Sequence, residues 1–162
     1  MTTTDAAFQD RMHDNFCFGC GADNPDGLQL KSAWDAVDPE VAVATFRPQP
    51  MHAAGPRHIL NGGIIGTILD CHGIGTALAD AYRREERAIG SAPEIWYATA
   101  SMTVDYLRPA PLEELVATAD VLRVGNRVGV ATIRIAACSE PEQVLVEGKG
   151  VYAIRRGEDR GG

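Results

Sequence analysis

Asp70 stands in the stretch HILNGGIIGTILDCHGIG (residues 58–75), among Ile64, Ile65, Ile68, Leu69 and Ile74. An ionised carboxylate in such company is costly unless partners or a task compensate it. The task open to a shielded carboxylate is to take a proton from water or to attack an electrophile itself. The same stretch carries Asn61-Gly62-Gly63. Amides at a helix start are preorganised donors for a developing oxyanion, and a glycine lets a ligand come close to the backbone. A second constellation is Cys17-x-x-Cys20, with His13 four residues before. These are three possible zinc ligands, but no second Cys-x-x-Cys follows, and the strand–helix context of a redox pair is missing.

The elements around these residues follow from patterning. Apolar residues at 64, 65, 68, 69 and 78, with alanines at 77 and 81, are spaced as a helix from Asn61 to about Arg84. Asn61 suits the N-cap, and Arg83 and Arg84 suit the negative end of the dipole. Gly66, Gly73 and Gly75 weaken such a helix, so something must pack closely against it, most simply a sheet. Strands are expected at 27–35, 40–46, 94–107, 114–124, 127–138 and 143–156, separated by proline-, glycine- and asparagine-bearing turns. The short late connections force antiparallel neighbours, which gives an α+β fold.

Composition narrows the function classes. The 162 residues suit one domain, with 45% hydrophobic and 23% charged residues. A net charge of −7 argues against general nucleic-acid binding. No apolar run approaches the ~20 residues of a membrane span. The start lacks the basic and apolar regions of a signal peptide, so a cytoplasmic location is expected. Residues 1–15 and 157–162 are polar enough to be loose ends around a domain at 16–156.

Four motifs in order are similar to those of the hotdog-fold acyl-CoA thioesterases, in the phenylacetate-pathway (PaaI-like) branch. They are FCFGCGADNPDGLQL (16–30), Asn61-Gly62-Gly63 followed by Asp70, TASMTVDYLRPAP (99–111) and RVGNRVGVA (123–131). The resemblance implies a long antiparallel sheet wrapped around one helix, a homo-oligomer (a dimer or a dimer of dimers), and no metal or other cofactor. It also implies roles. Asp70 is the general base or nucleophile, Gly62 the amide that polarises the carbonyl, and Gly63 a packing residue behind it. Thr99 faces the catalytic acid, and Ser101, two residues on, shares its face. Asn61 occupies the place where relatives carry His and can cap and donate, but cannot carry a proton.

Arg108 and the turn residues Asn126 and Arg127 are candidates for the phosphates of coenzyme A. Asn61 lies ~13 Å along the helix from Asp70, too far to share one carbonyl within a chain. Each site is therefore expected between two subunits. The resemblance implies an aromatic or medium-chain aliphatic acyl-CoA as the substrate. The alternative, prompted by Asn61, is a non-hydrolytic binder of acyl thioesters or other apolar ligands. His58 and His72 receive no role. The family entry motif often holds Cys-Gly, so Cys17 and Cys20 are read as packing residues, and Cys71 and Cys138 as small apolar ones.

Overall fold

The computed structural model describes residues 6–157. Its elements are β1 (Lys31–Trp34), β2 (Val41–Phe46), α1 (Gly62–Arg84), β3 (Ile95–Tyr106), β4 (Leu115–Val124), β5 (Val128–Ala137) and β6 (Glu140–Arg156). The strands form one antiparallel sheet in the order β1-β2-β4-β5-β6-β3, curled around α1. This is the hotdog arrangement. By length and composition α1 could cross a membrane, but most of its apolar stretch is buried inside the sheet.

The sheet presents small residues to the helix: Ala117 and Ala119 on β4, Ala131 on β5, and Gly148 and Gly150 on β6. Ile65, Ile68 and Leu69 of α1 fill the space so left, and all three are buried. Two of the helix glycines have a visible reason. A Cβ on Gly75 would lie 2.8 Å from Gln9 Nε2. A Cβ on Gly73 would overlap the Tyr152 hydroxyl and lie 2.8 Å from Ile133 Cδ1. Gly73→Ala should therefore destabilise by ~1–3 kcal/mol through overpacking, outweighing the ~1 kcal/mol gained in helix propensity. Tyr152→Phe in the same chain should return part of the loss. A urea midpoint raised by Gly73→Ala alone would contradict this packing argument.

Two expectations change. The first strand begins at Lys31 rather than at residue 27. The amides of Leu28 and Leu30 instead donate to the carbonyls of Phe18 and Gly19, at 2.8 and 2.9 Å. Gln29 between them is left-handed, with φ 55°, which breaks the extension.

The segment before residue 16 is not a loose end where it is described. Phe8–Arg11 form a 3-10 turn, and Phe8, Gln9 and Met12 are buried. Gln9 Oε1 accepts from the Ser32 amide at 2.8 Å, and its Nε2 donates to Ser32 Oγ at 3.0 Å. Ser32 Oγ lies 2.9 Å from His72 Nδ1, and His72 Nε2 lies 3.3 Å from the Ala42 carbonyl. Burial lowers the His72 pKa to about 4, so the imidazole is neutral and closes this chain of hydrogen bonds. A polar segment is thus held by satisfied buried groups, which hydropathy alone does not reveal. Residues 1–5 and 158–162 of the expected loose ends lie outside the described residues.

Candidate active site

Two carboxylates on α1 are withdrawn from water, and their partners differ. Asp80 is 1% exposed and bridges to Arg83 at 2.7 Å and Arg84 at 2.5 Å, so its charge is compensated locally. Asp70 is half-buried and has no cation within ion-pair distance among the described residues. Its partner is the Thr99 hydroxyl, which donates to Oδ1 at 2.6 Å. Burial pushes the Asp70 carboxyl above its ordinary value, and the Cys17 charge adds to this. The Thr99 hydrogen bond pulls the other way. A carboxylate so placed is more basic than one in water, with one oxygen free to meet a water molecule.

Asp70 opens on a cleft of about 160 Å³ walled by Phe8, Met12, Ile74, Leu78, Trp96 and Tyr97. The walls are largely apolar and the Asp70 carboxylate stands at one side. The Tyr97 hydroxyl is buried without a hydrogen-bond partner among the described residues.

The other end of the expected chemistry is at the start of α1. Asn61 is the N-cap: its Oδ1 accepts from Gly63 N–H at 2.8 Å and Ile64 N–H at 3.3 Å. Its backbone carbonyl takes the Ile65 amide at 3.1 Å. The cap therefore occupies Gly63 and leaves the Gly62 amide available to a ligand oxygen. Asn61→Ala should lower stability by about 1 kcal/mol, read as a urea midpoint shifted at unchanged slope. An unchanged midpoint would mean that the cap does not hold the helix start.

Tyr106 shapes this end, and the sequence reading had not singled it out. Its hydroxyl donates to the Gly62 carbonyl at 2.8 Å, which fixes the glycine from the strand side. Gly62, Ile65, Tyr106, Leu107 and Arg108 line a second cleft of about 310 Å³. Arg108 is exposed, and its Nη1 donates to the Val144 carbonyl at 2.9 Å. One arginine named for coenzyme A therefore sits beside Gly62. The helix separates the Gly62 and Asp70 clefts by about 12 Å at 1.5 Å per residue.

The other named residues divide. Ser101 does not share a face with Thr99. A bulge at Ala100 lets Thr99 pair with Tyr152 but Ser101 with Val151, and successive residues of β6 point to opposite faces. Asn126 and Arg127 are exposed at the β4–β5 turn and make no hydrogen bond to Asp70, Thr99 or Gly62 among the described residues. His13 is exposed and stands outside the thiol cluster, whose third member is Cys71 of α1.

Comparison with known proteins bears on this geometry. The Thioesterase superfamily model matches residues 58–142, which include Asn61, Gly62, Asp70 and Thr99. The medium/long-chain acyl-CoA thioesterase YigI of Escherichia coli is 33% identical over 134 residues, covering 79% of this chain and 81% of that protein. Among solved structures, a thioesterase of Haemophilus influenzae superposes with a TM-score of 0.67 at 14% identity, covering 88% of this chain and 90% of that one. A phenylacetic acid degradation-related protein of Ralstonia eutropha gives 0.60 at 14% identity, covering 78% of this chain and 85% of that one. The two structures share the fold.

Proposed function

This chain belongs to the thioesterase superfamily, among relatives of the PaaI and YigI type, and from that membership we propose that it hydrolyses acyl-CoA thioesters to a free acid and coenzyme A. The observation that carries the proposal is Asp70: a half-buried carboxylate with a hydroxyl partner and no counter-ion among the described residues, at the side of a largely apolar cleft.

Asp70 takes a proton from a water molecule, and the water oxygen bonds to the thioester carbonyl carbon. Negative charge then gathers on the carbonyl oxygen, where the Gly62 amide and the helix dipole stabilise it. When the tetrahedral intermediate collapses the carbon–sulfur bond breaks, and coenzyme A leaves as a thiolate that is then protonated. Direct attack by the Asp70 carboxylate, through an anhydride, uses the same geometry. Thr99 holds the carboxylate so that one oxygen faces the substrate. The acyl group, aromatic or medium-chain, lies along the cleft between Met12, Leu78 and Trp96.

Because Gly62 and Asp70 lie on one straight helix, the amide and the carboxylate at a given carbonyl come from two chains. The Gly62 cleft of one protomer meets the Asp70 cleft of its two-fold mate. The long outer edge of β3 supports such pairing, since twelve residues of unpartnered strand edge need a cover.

The deciding experiment is a panel of acyl-CoAs from short to long and aromatic, followed by release of the coenzyme A thiol. Hydrolysis of at least one class, lost in Asp70→Ala, is expected. Acyl-CoAs that raise the melting temperature but are never cleaved would replace this reading with a binding role.

A further inference from the structure

The hydrolytic reading leaves the segment Cys17-Phe18-Gly19-Cys20-Gly21 without a task, although it is pressed against α1 at Cys71. The Sγ atoms of Cys17, Cys20 and Cys71 all lie within 4.8 Å of one another, and those of Cys17 and Cys71 are 3.6 Å apart. Sulfurs ~2.3 Å from a tetrahedral zinc ion stand about 3.8 Å apart, so these three already approximate one face of such a site.

The backbone is arranged to the same end. The Gly21 amide donates to the Cys17 carbonyl at 2.8 Å and closes a tight turn. The Leu28 and Leu30 amides, donating to the Phe18 and Gly19 carbonyls at 2.8 and 2.9 Å, hold the turn in place. Backbone bonds on both sides of the pair thus fix where Cys17 and Cys20 stand, as outer partners of metal ligands do. Side chains are left out where the turn meets the helix. A Cβ on Gly19 would run into Cys71 Sγ and lie 2.7 Å from Thr67 Cγ2. One on Gly21 would lie 2.5 Å from both the Asn15 carbonyl oxygen and the Cys17 nitrogen. Apolar packing accounts for Cys20 and Cys71, which are buried. It does not account for Cys17, an exposed residue whose sulfur turns inward to the other two.

We propose that Cys17, Cys20 and Cys71 form a three-thiolate site for a thiophilic d10 metal ion of the zinc type, its fourth position open to the cleft that Asp70 lines. The three sulfurs bind as thiolates, so the filled site carries one net negative charge. The ion ties the segment that precedes β1 to the middle of α1. The proposal stands apart from the hydrolytic reading, since it needs no substrate.

The test uses untagged full-length protein, purified under reducing conditions, with metal content measured by mass spectrometry. About one zinc per chain is expected, falling at least tenfold in Cys17→Ser and in Cys71→Ser. Cys138→Ser, at the end of β5, should keep its metal. Cobalt in place of zinc should give the intense visible bands of tetrahedral thiolate coordination. Circular dichroism shows whether the variants fold, and the wild type decides the matter even if they do not. Metal-stripped wild type, titrated with zinc against a chromophoric chelator, should take up one ion. Wild type that competes no better than the triple serine variant would overturn the proposal. So would a Cys17–Cys20 or Cys17–Cys71 disulfide in protein never exposed to an oxidant.

Discussion

Asp70→Asn should lower kcat by ~10²–10⁴-fold, the range for loss of a general base, with little change in the concentration of acyl-CoA needed to saturate. The substitution keeps the shape of the side chain and can still accept from the Thr99 hydroxyl. It removes the charge alone. Stability should hold or rise, because Asp70 has no counter-ion among the described residues to leave behind and a neutral amide escapes the cost of burying charge. Asp80→Asn is the informative contrast. It uncouples Arg83 and Arg84 from their buried partner, so it should lower stability while leaving turnover intact. The measurement is steady-state thiol release beside urea unfolding on each variant. Turnover near wild type in Asp70→Asn would remove this residue from the mechanism.

The second large effect concerns two inactive proteins that should become active when mixed. Gly62→Val places a branched side chain in the cleft that receives the carbonyl oxygen. A Cβ at this position would stand 3.6 Å from the Tyr106 ring, an ordinary contact, and circular dichroism checks that the variant folds. Asp70→Ala removes the base from the other cleft. Each homodimer then carries two defective sites. A two-fold interface makes the heterodimer asymmetric in its defects: one site inherits both lesions and the other neither. Equal mixing with free exchange should restore about a quarter of wild-type activity, half the dimers being mixed and each having one sound site of two. Exchange is confirmed by native mass spectrometry. Confirmed heterodimers without activity would mean that the amide and the carboxylate do not meet across an interface. Full activity in a monomer by light scattering would do the same.

The legible part of this protein is the part written in local periodicity. The helix begins at its asparagine cap and ends at Arg84 as its spacing implied, and strands stand in all six expected places. What escaped was set by distant partners. The stretch 27–30 reads as strand, but its amides go to the Cys17 loop. Gln9 reads as solvent-facing, yet Ser32 satisfies it in the interior. Ser101 leaves the face of Thr99 because Ala100 bulges, and neither glycine nor proline marks the spot.

The Asp70–Thr99 contact was reached through family resemblance, since nothing near either residue announces the other. Tyr106 stood inside a quoted motif without a role, which only its hydrogen bond to Gly62 supplies. Cys71 looked like a small apolar residue because its partners lie 51 and 54 positions away, at Cys20 and Cys17.

The Tyr152 ring sets limits on motion. It is wedged where Gly73 of the helix and Gly150 of its own strand have no side chain, and it is the cross-strand neighbour of Thr99. Any rotation of α1 about its axis, or any slide along it, drives helix backbone into the phenol. The ring works as a locking pin, and Asp70, one helical turn before Gly73, keeps its bearing on Thr99 only while the pin is seated. The hydroxyl at its tip is buried with no partner among the described residues, so the lock is steric and not one that a change of protonation or solvent would release. Widening of the cleft for longer acyl groups is therefore left to the side chains of its other walls, such as Met12 and Trp96, and not to movement of the helix.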